Sequence, residues 1–254
     1  MRWQKGALIL LLGLRVLLSS QLAAALNDQQ AWEIIDEVDQ LLRGQSSSGT
    51  VQMQISTVHW QRDLSLHIWS LGTEHVLIRI TNPQKEAGTA TLKIADDIWN
   101  YLPKVNRTIK IPTSLMMDSW MGSHFTNDDL VKESRLVRDY GITTSFEGNR
   151  AGVEVYEYIL TPKPEAAVVW GKIVIEVRQA DHMPTWERYY DEEGKLVREL
   201  TFSDYKTMGG RLIPTRLLMR PADKADEQTV IIYEDIIFDA AISQDTFSLR
   251  NLGR

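Results

Sequence analysis

IWNYLPKVNRTIKIPTSLMMDSWMGSHFTNDDL, Ile98 to Leu130, is the stretch whose reading decides the fold. It opens as a strand carrying two aromatics, Trp99 and Tyr101, and Pro103 ends that strand. A polar turn follows at Lys104, Asn106 and Arg107, and a short apolar return from Thr108 to Ile111 stops at Pro112. Then come Leu115, Met116, Met117, Trp120, Met121 and Phe125, broken by Ser, Asp and Gly122. The run is too interrupted for a long helix and too apolar for a solvated loop, because loops ordinarily carry polar residues. A segment of this texture covers an apolar interior. Three of the eight methionines lie between Met116 and Met121. Met re-packs easily around different apolar shapes, which favours an adaptable lid over a fixed plug.

On both sides of this stretch the chain alternates apolar and polar residues with period two, the mark of half-buried strands. Val51, Met53 and Ile55 form one such row. Leu64, Leu66 and Ile68 form the next, followed by Val76, Ile78 and Ile80, and by Ala90, Leu92 and Ile94. Turn residues separate them at Gly72, Asn82-Pro83, Gly88 and Asp96-Asp97. Beyond Leu130, a turn or two of helix over 127–133 is capped by Asn127. Strands then resume, with Val168 to Val177 buried on both faces near its middle and Asp191 to Gly194 as a hairpin turn. A short turn and a terminal strand are expected over Asp245 to Leu249. The reading is mainly β, a curled antiparallel sheet of about ten or eleven strands with the helix below laid across it, since a single sheet of that size curls or closes.

One helix is clear. From Asn27 to Arg43, Ala31, Ile34, Ile35, Val38, Leu41 and Leu42 make an apolar stripe at helical spacing. Asn27 or Asp28 caps its start, and Gly44 stops it. Gln45 to Gly49 reads as a polar linker. The helix must lay its stripe on the sheet, so the expected lining of the interior is Ile35, Met53, Leu66, Ile78, Trp99 and Tyr101 under a lid of Met116, Met117, Trp120, Met121 and Phe125.

Residues 1–25 read as a cleavable secretory signal peptide, leaving 26–254 as one domain. Arg2 and Lys5 precede an apolar core from Gly6 to Leu18, shorter than the roughly 20 residues of a membrane span. Ala23-Ala24-Ala25 supplies the cleavage site. Export without any cysteine points to a bacterial periplasm. The formal net charge of −6 argues against a nucleic-acid partner, and predicts little gain from anionic membranes.

Catalytic patterns do not emerge. No G-x-S-x-G, phosphate-binding glycine loop or H-E-x-x-H occurs, and the five histidines show no ligand pairing at helical spacing. Asp96-Asp97 and Asp128-Asp129 sit where turns and helix starts favour Asp. The reading is a protein without metal, cofactor or catalytic residues.

Two groups of motifs add a family. Trp99-x-Tyr101-Leu102-Pro103 is followed by Met121-Gly122-Ser123-x-Phe125-Thr126-x-Asp128-Asp129-Leu130. Later come Tyr189-Tyr190-Asp191-x-x-Gly194-Lys195-Leu196, Phe202-x-x-Tyr205-Lys206, Gly210-x-Leu212-Ile213-Pro214-Thr215 and Phe247-x-Leu249. Together they resemble the outer-membrane lipoprotein-sorting proteins, LolA/LolB-like, in the larger subfamily that accompanies export pumps. The resemblance implies a half-open barrel with a helical lid, an apolar cavity for acyl chains of lipids or lipoproteins, and no catalysis. It implies a monomeric periplasmic carrier that works with an inner-membrane transporter. A non-transporting lipid sensor or transporter-docking module of the same fold is the alternative.

Overall fold

The computed structural model describes residues 29–132, 136–166 and 168–253. The expected leader, its cleavage site and the expected caps Asn27 and Asp28 lie outside these residues. Among the described residues there are thirteen strands, more than the ten or eleven expected, in one antiparallel sheet.

Helix α1 spans residues 29–40, and a turn leads through Gly44, whose φ of +60° suits glycine, into the sheet. The strands are β1 (Ser46–Ser56), β2 (Gln61–Leu71), β3 (His75–Asn82), β4 (Ala90–Ile94), β5 (Asp97–Leu102) and β6 (Arg107–Lys110), then β7 (Tyr140–Arg150), β8 (Val153–Pro162), β9 (Lys172–Arg178), β10 (Pro184–Tyr190), β11 (Leu196–Met208), β12 (Arg211–Pro221) and β13 (Gln228–Phe238). Short helices α2 (Asn127–Lys132) and α3 (Leu136–Asp139) lie between β6 and β7, and α4 (Leu249–Leu252) ends the chain. The expected polar linker is instead the start of β1: Ser46 and Ser47 are buried, and their hydroxyls bond to Ala240 O and Ser70 Oγ.

The strand order is β6-β5-β4-β3-β2-β1-β13-β12-β11-β10-β9-β8-β7. Every ladder joins sequence neighbours except β1–β13, which sets Ser47 opposite Phe238. That pairing is close. A Cβ on Gly49 would stand 2.5 Å from Asp235 O, beside a register shift between Thr50 and Val51. The sheet ends in two free edges, β6 and β7, so the half-barrel is open. The connection from β6 to β7 must therefore cross from one edge to the other, and it is the Met-rich stretch.

The two faces differ. Inward, α1 lays Ala31, Ile34 and Ile35 on Tyr158, Leu160, Ile173, Ile175 and Val177 of β8 and β9. Burying each such side chain contributes roughly 1.5–3 kcal/mol. Beside this, Val51, Met53, Ile55, Leu64, Leu66, Ile78 and Ile80 pack with Trp120. Outward, one part of the convex face is a ladder of charges: Arg150 bridges Glu157 and Glu176, and Arg188 pairs with Glu199. Over β3–β5 the convex face is apolar, and the C-terminal segment covers it. Phe247 and Leu252 bury Leu77, Ala90 and Leu92 with Trp69, Trp99 and Tyr101. Of the short turn and terminal strand expected over 245–249, the turn is a 3-10 turn (Gln244–Phe247), and α4 stands in place of the strand.

Candidate functional site: a covered cavity

Between α1, the inward sheet face and the β6–β7 connection lies a cavity of about 250 Å³. Strand periodicity builds its wall, because alternate residues of adjacent strands point the same way. Met53, Leu66 and Ile78 come from β1–β3, Leu200 and Phe202 from β11, and Leu217, Met219 and Ile231 from β12 and β13. Val38, Leu41 and Leu42 close it from the helix side, and Trp120, Phe125 and Leu130 from the connection.

Polar side chains interrupt this apolar lining, including Lys93, Asp128, Glu187 and Arg198, all buried. Arg198 is the centre of the best-defined group. Its Nη1 and Nη2 donate to the two carboxylate oxygens of Asp129 at 2.7 and 2.5 Å. Its guanidinium stacks 4.5 Å from the Trp170 ring and 4.4 Å from that of Tyr189. Burial opposes the Arg198 charge, but Asp129 outweighs it, so its pKa stands above the ordinary value. Burial, then the charge of Glu187, pushes the Tyr189 phenol well up. It stays protonated and donates to Glu187. Burial, then Asp128 and Asp139, likewise raises Tyr140.

The connection is fixed to the sheet at four places. Trp120 Nε1 donates to Thr91 Oγ1 of β4 at 3.1 Å, and Arg62 of β2 donates to Met121 O at 2.5 Å. His124 meets Thr229 of β13 through its backbone N–H, 3.0 Å, and its Nδ1, 2.8 Å. Asp129 meets Arg198 of β11. Asp129 also completes a capping box: Thr126 N–H donates to its carboxylate at 2.7 Å, and its own N–H donates to Thr126 Oγ1 at 3.2 Å. The cap of α2 is thus Thr126 and not Asn127. Asn127 turns its side-chain amide to Leu115 O, 3.0 Å away, and ties the start of the connection to its helix.

One cluster has the look of a hydrolytic relay. His124 lies between Thr229 Oγ1 and Glu227, 3.2 Å from its Nε2. The hydrogen bond from His124 holds the Glu227 carboxyl below its ordinary range, with Lys224 assisting. Thr229, however, is fully buried, and its hydroxyl already accepts from the His124 N–H. No substrate carbonyl can approach it, so the cluster fastens the connection. No group of side chains suited to a metal ion occurs among the described residues.

Of the residues expected to line the interior, Met53, Leu66, Ile78, Trp120 and Phe125 do so. Ile35 is packed beneath α1 instead. Trp99 and Tyr101 need correction. Trp99 pairs with Leu92, whose side chain faces outward, and both aromatics lie under the C-terminal segment on the convex face. Met116, Met117, Trp120 and Met121 do not share one face. Trp120 is buried, Met121 packs beside it with a φ of +53°, and Met117 is exposed. Sequence reasoning missed Arg198 and Lys93, and met Tyr189 only within a family motif, not as a lining residue. The acids Asp128 and Asp129 were visible, but their buried cavity setting was not.

Several solved structures share this fold. An outer membrane lipoprotein-sorting protein domain, so described, from Vibrio parahaemolyticus aligns with a TM-score of 0.78 and 23% identity over 90% of this chain and 100% of that one. A DUF1329 family protein from Desulfovibrio piger gives 0.81 and 24%, over 89% and 99%. A LolA superfamily protein from Nitrosomonas europaea gives 0.73 and 22%, over 87% and 98%. Comparison with curated proteins gives no match. A family model described as "Uncharacterized protein" matches residues 72–254, from β3 to the C-terminus and so the connection and most of the sheet. The chain belongs to that family, and its fold is an open, curled half-barrel similar to that of the LolA superfamily protein and the lipoprotein-sorting domain.

Proposed function

We propose that the protein is a non-catalytic periplasmic carrier for acyl chains of lipids or lipoproteins, with 26–254 acting as one monomeric lipid-binding domain. It takes chains into the covered cavity, passes them between envelope partners, and works with an inner-membrane export pump. The observation that carries this reading is the cavity itself, an apolar wall beneath a connection that is tied down by a few polar contacts. Full burial of a 16-carbon chain would release roughly 12 kcal/mol at about 0.8 kcal/mol per CH₂. A carrier that captured all of it would not release its cargo. The cavity lies below the roughly 300–1,000 Å³ of typical small-molecule sites. A long chain therefore enters only as Trp120 and Phe125 swing away, and their return drives release. Met116, Met117 and Met121 give the cover its adaptability.

Mass spectrometry of the purified protein is expected to find co-purified lipid or lipopeptide. Protein that stays empty when offered both would overturn the reading. The four-point fastening of the cover favours a second reading, a lipid sensor that retains its ligand. Loading with a fluorescent lipopeptide and adding acceptor vesicles separates the two: a carrier hands the probe on, a sensor keeps it.

A further inference from the structure

At one end of the sheet β1 turns into β2, β3 into β4, and β5 into β6. These six strands make a rim about 24 Å wide at about 4.8 Å per strand. Arg62 pairs with Glu86 across it. A Cβ on Gly88 would stand 3.7 Å from Pro103, and one on Gly122 would stand 3.6 Å from Trp60, so its turns adjoin one another and the cover. Val58, Trp60, Leu102, Val105 and Met117 are exposed on it, and Ile109 and Leu115 follow beside the β6 edge. These are seven of the twelve exposed large hydrophobics among the described residues. Side chains of this kind scattered singly need no explanation, whereas gathered at one end they mark a contact surface.

The charge there also runs against the rest of the molecule. From Ile98 to Met117 the chain has three basic residues and no acidic one, although the whole carries −6. Lys110 pairs with Asp97, but Lys104 and Arg107 form no ion pair among the described residues. Lys85 adds an exposed ammonium, 4.0 Å from Glu86. Of the nearby acids, Glu86 is tied to Arg62 and Glu227 to His124 and Lys224, while Asp118 and Asp63 are exposed, as are Asp223 and Asp226 on the adjoining β12–β13 loop; the basic part of the rim is the β5–β6 side. The low gain from anionic membranes expected from net charge therefore does not hold for the β5–β6 side of this end. Trp and aliphatic side chains beside unpaired Lys and Arg suit an interface of acyl chains and phosphates.

We propose that this rim docks on an anionic lipid bilayer, with Trp60, Val105 and Met117 entering the interface and Lys104 and Arg107 meeting headgroup phosphates. The proposal rests on the carrier reading for its purpose. Met117 faces outward on the same connection whose Trp120 and Phe125 face the cavity, so docking sets the cover against the membrane from which a chain would enter.

The test is flotation of the full chain with phosphatidylcholine vesicles that contain or lack phosphatidylglycerol, alongside uptake of a dansyl-labelled fatty acid without vesicles. The wild type is expected to float only with phosphatidylglycerol present, and less as salt rises. Lys104→Glu with Arg107→Glu is expected to weaken binding about twenty-fold or more, since each basic residue contributes about five-fold. Val105→Asp is expected to weaken it as well. Lys195→Glu with Lys206→Glu, a matched change of net charge elsewhere, is expected to leave it intact. Equal flotation with both vesicles, unimpaired rim variants, an equally impaired control, or binding that requires a reconstituted membrane protein would each overturn the proposal. Normal flotation without fatty-acid uptake would support docking and overturn the carrier reading.

Discussion

Asp129 serves two elements at once, closing the capping box of α2 and holding both Nη atoms of Arg198. Removing one partner of a buried pair leaves an uncompensated charge, at a cost of about 3–5 kcal/mol. Asp129→Asn is expected to show most of that loss in urea unfolding, and Asp129→Leu with Arg198→Met to regain a good part of it. His67 offers a second test. It meets Ser48 Oγ at 2.9 Å, and burial lowers its pKa below 6.5, with Asp235 opposing only in part. Between 6.5 and that lower value the unfolded chain binds more protons than the folded one. Stability therefore falls as pH drops through this window. His67→Gln is expected to flatten the decline in melting temperature from about pH 7.5 to about pH 5.5, above the range where carboxylates titrate. Neither pairing was legible in the sequence: strand register alone brings His67 to Ser48, and Asp129 reaches Arg198 only where the connection crosses the sheet.

The connection between β6 and β7 and the C-terminal segment are the two elements that close the sheet's faces. Phe247 is buried on the convex face, whereas Leu249, two residues on, is half exposed. Phe247→Ala is expected to cost about 3–5 kcal/mol, and Leu249→Ala no more than about 0.5 kcal/mol, in the same denaturation assay. Most elements could be read from alternation alone, and the helical stripe of α1 from its spacing. The β9 run Ile173-Val174-Ile175 is buried on both faces, as its unbroken apolar texture implied. What period two cannot say is which of two faces is concave. Trp99 and Tyr101 alternate with Ile98 and Asn100, and only the pairing with β4 shows that the aromatics face outward. The sequence Phe-Ser-Leu at 247–249 reads as a strand by composition, yet the local chain is helical because Phe247 and Leu252 must reach one apolar patch. The cover was legible as a cover. Its anchors were not, since Thr91, Arg62, Thr229 and Arg198 lie on four different strands.

At the scale of the whole molecule, cavity and sheet share one source of stability. A ligand that binds only the folded state adds about 2.7 kcal/mol at a hundred times its Kd. That one large antiparallel sheet would curl followed from strand count, whereas its thirteen strands and its two unpaired edges, β6 and β7, did not. The cavity's polar groups did not, because a lone Lys, Glu or Arg in a strand reads as solvent-facing until its neighbours are placed. The β1–β13 pairing carries a further consequence, for how the chain finds its fold. All other ladders are hairpin-like and close short loops, while this one joins positions near the two ends of the described chain. Loop-closure entropy makes such a contact slow to form, so β1–β6 and β7–β13 can each assemble before the seam between them. At that seam Gly49 passes within a Cβ's reach of Asp235 O. Gly49→Ala is expected to cost about 1–3 kcal/mol and, in stopped-flow refolding, to slow the final docking phase while leaving earlier hairpin formation unchanged. During synthesis the first half of the sheet emerges with its β1 edge unpaired. The nascent chain must keep that edge from other strands until its last strand arrives.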